Sequence, residues 1–286
     1  PRTDAPAETD GPLNECIAAL SQSAILSLTA VDDTVYIGTQ GDNLHQIDIR
    51  TRTLKKNIVT RGTPGLNYTS DFSCCFRDSE NNFWIGTLDR GYSVRYANEK
   101  EFTRSIRLGK QTLSKFVNAI TISKDGTRWI GSRFKGMLAY TSQLDLKWHT
   151  LENCTLMQRL NSKNVSALFA DSSGHLWVNI DDRIACCNTS HQTILDYTLL
   201  PERFSANRFC EDARHDVWVA TTSGLLVYDG MRLRDACFEG CDVQDVIRLD
   251  DTTMLAAVFR RGLFAIDSRR LERRPFLEAP DSLTAT

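Results

Sequence analysis

The sequence predicts an all-β protein, a β-propeller of six or seven four-stranded blades. Three observations carry that prediction: a tryptophan-containing strand that recurs along the chain, a fixed order of strands and turns around it, and the lack of any helical hydrophobic period. The recurrence is plainest in "FWIGTLDRG", "RWIGSRFKG" and "VWVATTSG".

Aligned on the tryptophan, the copies fall at Tyr36, Trp84, Trp129, Trp177, Trp218 and Leu255, at steps of 48, 45, 48, 41 and 37 residues. Such steps suit a four-stranded blade. Each copy opens on an apolar strand, as in "AILSLTAV", "VNAITISK" and "NVSALFAD". A polar turn follows ("DSENN", "DSSGH", "DARHD"), rich in residues that accept turn geometry. The tryptophan strand comes next, then a tight turn that in most copies holds a glycine: Gly91, Gly136, Gly224 or Gly262. A third strand ("MLAYTS", "LLVYDG") and a more polar fourth ("FTRSIRLG", "TILDYTLL") complete the unit.

Packing explains the repeated strand. A blade buries both faces against its neighbours, so its strands are apolar on both sides. The tryptophan fills the wedge between sheets, burying about 150–250 Å². The glycine two residues later leaves room for a neighbouring element, and the turn glycine supplies positive φ. Closing such sheets into a ring hides most of their edges. A β-sandwich, the nearest alternative, would not repeat the strand at these steps. Blade number stays open. Residues 25–275 hold six legible repeats; "ECIAAL" within 1–24 could close the ring as a fourth strand, and "DSLTAT" within 276–286 could open a further blade.

The unit resembles the two-component-regulator propeller repeat of bacterial hybrid histidine kinases, found in their extracytoplasmic sensor regions. That repeat runs as an apolar strand, Asp, two variable residues, Gly, a variable residue, Leu-Trp-Ile-Gly-Thr, then Gly-Gly-Leu and an aromatic. "SDFSCCFRDSENNFWIGTLDRGYSVRY", "NVSALFADSSGHLWVNIDDRIACC" and "FCEDARHDVWVATTSGLLVYDG" match it, and the resemblance spans residues 25 to 270. Departures stand at Tyr36, Leu255, Asn179 and Ala220. The resemblance implies a periplasmic sensor piece of a receptor that regulates polysaccharide utilisation, without enzymatic activity of its own. It also implies an oligosaccharide ligand, neighbouring propeller or sandwich domains, and a receptor dimer, with the kinase elsewhere in the parent chain.

Composition narrows the remaining classes. Of 286 residues, 41% are hydrophobic and 24% charged, with a formal net charge of -2, a balance unlike that of a nucleic-acid binder. No apolar run reaches the roughly 20 residues that a membrane-crossing helix needs. Nine cysteines include the adjacent pairs Cys74-Cys75 and Cys186-Cys187, which lie on strands where successive side chains face opposite ways. They read as buried thiols; only Cys237 and Cys241 have spacing compatible with a local bridge. The histidines His45, His149, His175, His191 and His215 show no zinc-ligand spacing. No catalytic residue, metal or cofactor is therefore expected. "SKDGTRW" resembles the Asp-box turn of sialidases but lacks one residue and occurs once.

One pattern points to a ligand. The turns between second and third strands carry Arg90, Arg133, Lys135, Arg183, Arg260 and Arg261, at equivalent places and hence on one face of the ring. The connections that emerge on that face add Tyr68, Lys110, Lys115 and Arg159. Convergent cations attract an anion, so if these turns form one functional face the ligand is an acidic oligosaccharide, with Tyr68 offering a surface for a sugar ring; the other reading is that solvated polar turns simply carry arginine. The alternative, from a different class, is a propeller that docks another protein and has no small ligand.

Overall fold

The computed structural model describes residues 25–276 except 41–43, 53, 60–71, 79, 88–90, 98–102, 106, 109–110, 113–116, 142–144, 151–153 and 191–192. The candidate closing strand in 1–24 and the stretch 277–286 lie outside the described residues, as do Tyr68, Arg90, Lys110 and Lys115.

Six antiparallel four-stranded sheets follow one another along the chain, each built from consecutive strands with hairpin order 1-2-3-4. They occupy residues 25–59, 72–105, 117–150, 165–203, 206–237 and 243–275, named here blades 1 to 6. The first strands (Ile25–Val31, Phe72–Arg77, Val117–Ile122, Val165–Ala170, Ala206–Glu211 and Val243–Arg248) pack on one another in succession. Blade 1 touches blade 2 on one side and blade 6 on the other, so the described sheets close a ring of six. Of the two blade numbers left open by the sequence, six is the one that closes.

The tryptophan positions make the ring. Trp84, Trp129, Trp177 and Trp218 are all buried, and each packs on residues of the next blade. Trp129 meets Val165 and Leu168, Trp218 meets Val246 and Met254, and Trp84 meets Val117 and Ile130. Trp177 lies against Phe209 and Tyr228, with ring centroids 6.3 and 5.1 Å away. The two departures keep the rule. Tyr36 packs on Phe72 and Phe83 of blade 2, and Leu255 of blade 6 packs on Ile25 and Val35 of blade 1. Hydrophobic burial in one constant direction is what closes the circle.

The glycine after the tryptophan acts as expected. A Cβ on Gly131 would stand 2.8 Å from Val165 Cγ1, so only glycine admits the next blade there. Where blade 4 has Asn179 instead, the side chain is fully buried and its Nδ2 donates to Ser166 Oγ at 2.7 Å.

Among the described residues one element departs from the all-strand reading. Thr155–Leu160 forms a short α-helix (α1) in the connection from blade 3 to blade 4, its Leu156 and Met157 buried against the blade 4 core. Its three apolar residues, Leu156, Met157 and Leu160, are too few for a periodicity to show, and Asn161 ends the helix in the left-handed region at φ 49°. The adjacent cysteines do face opposite ways: Cys74 and Cys75 enter different cores, as do Cys187 and Cys186. Cys237 and Cys241 are unbridged.

Candidate functional site at the mouth of the central channel

The first strand of every blade carries a β-bulge at its second residue. Pairing with the second strand slips between Ile25 and Ser27, Phe72 and Cys74, Val117 and Ala119, Val165 and Ala167, Ala206 and Arg208, and Val243 and Asp245. The bulged residues are therefore Leu26, Ser73, Asn118, Ser166, Asn207 and Gln244. A bulge bends its strand and re-aims one side chain. Repeated around a ring, it gathers five of these residues, Leu26, Asn118, Ser166, Asn207 and Gln244, into one cavity of about 290 Å³ on the ring axis.

Three of them also tie blade to blade. Asn118 Nδ2 donates to Val165 O at 2.9 Å, Ser166 Oγ to Ala206 O at 3.1 Å, and Asn207 Nδ2 to Val243 O at 2.8 Å. Each acceptor is the first residue of the next inner strand, beside that strand's own bulge. Blade 1 makes the same tie one residue later, through Ser27 Oγ to Phe72 O at 3.4 Å. The last join uses a carboxylate. Asp245 of blade 6 is buried, accepts from the backbone N–H of Leu28 in blade 1 and of Val246, and lies 3.7 Å from Arg208 Nε. Burial pushes its pKa up to about 6, against the lowering pull of Arg208 and the two N–H donors.

The turns between second and third strands stand at this same end. Asp181, Thr222 and Phe259 of those turns donate backbone N–H groups to Asn164, Ser205 and Asp242, which precede the inner strands. Of the predicted cations, the structure brings Arg133 to the cavity, where Arg208 joins it. Lys135, Arg260 and Arg261 are exposed on their turns at the same end, outside the cavity lining. Arg183 turns outward and donates to Leu200 O at 3.3 Å, towards the fourth strand of its own blade. Arg159 lies on α1, its guanidinium 6.0 Å from the centre of the Tyr197 ring. Two exposed aromatics mark turns on opposite blades. Phe134 in blade 3 has Arg133 5.5 Å from its ring centre, and Phe259 in blade 6 has Arg260 at 5.2 Å.

Sequence reasoning missed the amides and Arg208. The signal of the bulged residues was a polar residue directly after the first apolar residue of the strand, as in "VNAI", "VSAL", "ANRF" and "VQDV"; Arg208 stands one place further on. The bulge that turns it to the axis leaves no mark in composition.

Elsewhere the polar clusters do structural work. Ser172 Oγ and Glu211 Oε1 approach the same nitrogen of His215, Nδ1, at 2.8 and 2.9 Å. A nucleophile and an orienting acid on one nitrogen cannot relay a proton through the ring, so the trio clasps blades 4 and 5. The basic run Arg269, Arg270, Arg273 and Arg274 is exposed at the outer edge of blade 6. Among the described residues, no group of three His, Cys, Asp or Glu could hold a metal ion, and no helix is long and apolar enough to cross a membrane.

Fold and site together define a closed six-bladed β-propeller whose channel opens on a polar mouth. No family model matches the chain, and no curated protein matches its sequence. Among solved structures it is similar to the extracellular domain of the protein described as hybrid two-component system BT4673 of B. thetaiotaomicron. The TM-score is 0.65 at 15% identity, over 91% of this chain and 34% of that one. It is also similar to the extracellular domain of the system described as BT3049 of the same organism, with a TM-score of 0.55, 17% identity and coverage of 86% and 39%. Virginiamycin B lyase of Staphylococcus aureus, solved as an inactive variant with quinupristin, gives a TM-score of 0.56 at 12% identity, over 85% of this chain and 94% of the lyase. This chain thus spans between a third and two fifths of the two receptor domains. At such identities the likeness establishes the fold; because a lyase shares it, the fold does not choose the function.

Proposed function

We propose that this propeller is a ligand-sensing part of the extracytoplasmic region of a hybrid two-component histidine kinase, and that it binds an acidic oligosaccharide in the control of polysaccharide utilisation. The observation that carries the reading is coverage: 91% of this chain aligns with only 34% of the BT4673 extracellular domain. That share supports reading one propeller as one unit of a longer receptor region, as the repeat resemblance implies. Kinase activity lies elsewhere in the parent chain, further propeller or sandwich domains adjoin this one, and the receptor works as a periplasmic dimer. The propeller itself performs no catalysis.

The face around the channel mouth suits an acidic ligand. Arg133, Arg260 and Arg261 stand exposed around a polar mouth, with Phe134 and Phe259 on opposite blades as surfaces for sugar rings. Arginine forks match carboxylate and sulfate. Calorimetric titration of acidic and matched neutral oligosaccharides tests the proposal. Acidic ligands are expected to bind, and Arg133→Ala and Arg261→Ala are each expected to weaken them. No binding by any of them, or binding indifferent both to ligand charge and to these substitutions, overturns it.

A further inference from the structure

We infer that the channel mouth is an end-on pocket for one hydroxyl-bearing anion of monosaccharide size, whose hydroxyls donate to the amide oxygens of Asn118 and Asn207 while its charge faces Arg133. This rests on the reading above that the protein binds an acidic saccharide, and it states where and how.

The direction of the amides follows from what they already bind. A backbone carbonyl can only accept, so the ends of Asn118 and Asn207 on Val165 O and Val243 O must be the NH₂ groups. The second amide hydrogen of Asn207 goes to Asp242 Oδ1 at 3.1 Å. Among the described residues neither amide oxygen has a donor, and both residues line the cavity. The belt that holds the blades together therefore fixes two acceptors at the mouth. Gln244, on the same register position in blade 6, has neither end of its amide engaged among the described residues and supplies an adjustable donor and acceptor.

Charge completes the pattern. Arg208 is committed, with one NH₂ group on Asn207 O at 2.7 Å and its Nε toward Asp245. Among the described residues Arg133 has no carboxylate partner; its guanidinium rests beside Phe134. A ligand with hydroxyl donors and one carboxylate satisfies both sets, whereas a neutral sugar satisfies only the oxygens and a simple carboxylate only the arginine. Size sets the orientation. About 290 Å³ lies at the lower limit of small-molecule pockets. Side chains from blades 1, 3, 4, 5 and 6 surround it, so one sugar ring enters along the axis and the rest of a chain projects outward past the turns.

Calorimetry on the whole chain with galacturonic acid, trigalacturonic acid, galactose and acetate tests this. Galacturonic acid is expected to bind within about threefold of the trimer and at least about tenfold more tightly than galactose or acetate, the scale of one lost hydrogen bond. Gln244→Leu, which removes an amide with no partner among the described residues, is expected to weaken galacturonic acid about tenfold while leaving the unfolding midpoint unchanged. Gln244→Asn, which shortens but keeps the amide, should lose less. If acidic trimers bind and depend on Arg261 but ignore Gln244→Leu, or if the monomer fails to bind, the pocket is overturned and the sensor reading stands. If none of the four ligands binds, both fall.

Discussion

The indole nitrogen of Trp177 donates to Asp171 Oδ2 at 2.9 Å, across a turn that separates the two residues by six positions. Trp84 and Asp78 repeat the bond at 2.9 Å, Trp218 and Asp212 at 3.1 Å, and in blade 3 Ser123 Oγ takes the place of the carboxylate at 2.9 Å from Trp129. Asp171 also accepts from the backbone N–H of His175 at 2.8 Å, so one side chain caps the turn and satisfies the indole. Where the tryptophan is absent the acceptor is absent too: the residue six before Tyr36 is Ala30, and six before Leu255 is Leu249. A buried N–H needs an acceptor, and the sequence keeps or drops the two together.

Asp171→Ala strands the indole N–H and uncaps the turn in one step. The expected loss is about 1–3 kcal/mol, the cost of an unsatisfied buried donor, whereas Trp177→Ala should cost about 3–5 kcal/mol. Urea unfolding of both variants measures the difference. An Asp171→Ala variant as stable as the parent would show that the carboxylate contributes nothing to the wedge.

Gly131→Ala places a methyl 2.8 Å from Val165 Cγ1 and 3.2 Å from Leu168 Cδ1. The blade 3 to blade 4 contact must then open, and overpacking of this kind costs about 1–3 kcal/mol. The reverse change at blade 5, Ala220→Gly, should instead cost only about 1 kcal/mol, through backbone freedom. Denaturation midpoints that rank the two the other way would contradict the role given to the glycine.

Asp245 predicts a specific pH dependence. Its folded pKa of about 6 exceeds the ordinary carboxylate value of 3.8 because burial outweighs Arg208. Cys75 and Cys210 are the other titratable groups that sense it, and burial raises both thiols, so neither ionises in the same range. Between pH 4 and 6 the unfolded chain loses this proton before the folded protein does. Stability from this group therefore falls as pH rises through that window and is level above it, a change on the order of 3 kcal/mol. Asp245→Asn lacks the slope. Stability of the parent relative to this variant should drop between pH 4 and pH 7; a constant difference across that range would show that Asp245 titrates normally.

The thiols should be slow. Burial pushes Cys75 and Cys210 up to about 12 and Cys186 to about 11, and raises Cys187 as well. Only the thiolate reacts, so a thiol reagent at pH 8 should label these four only as the protein unfolds. Prompt native-state labelling of any of them would place that strand outside the core.

Much of this was legible along the chain. The recurrence from Tyr36 to Leu255, the turn glycines and the apolar first strands report local requirements, a pleat, a turn and a filled wedge, that neighbouring residues express together. The cationic turns were legible for the same reason, and Arg133 is where the repeat put it. The number of blades and the join that closes the ring were not, because they rest on contacts such as Leu255 with Ile25 and Asp245 with the Leu28 N–H, made by residues more than two hundred positions apart. Nor was the mouth. A polar residue such as Asn118 or Gln244 on an inner strand has no fixed destination in sequence. A bulge turns it to the axis, and five other blades decide what it meets there. Local chemistry sets each blade, while the direction in which its side chains converge is settled only when the ring closes.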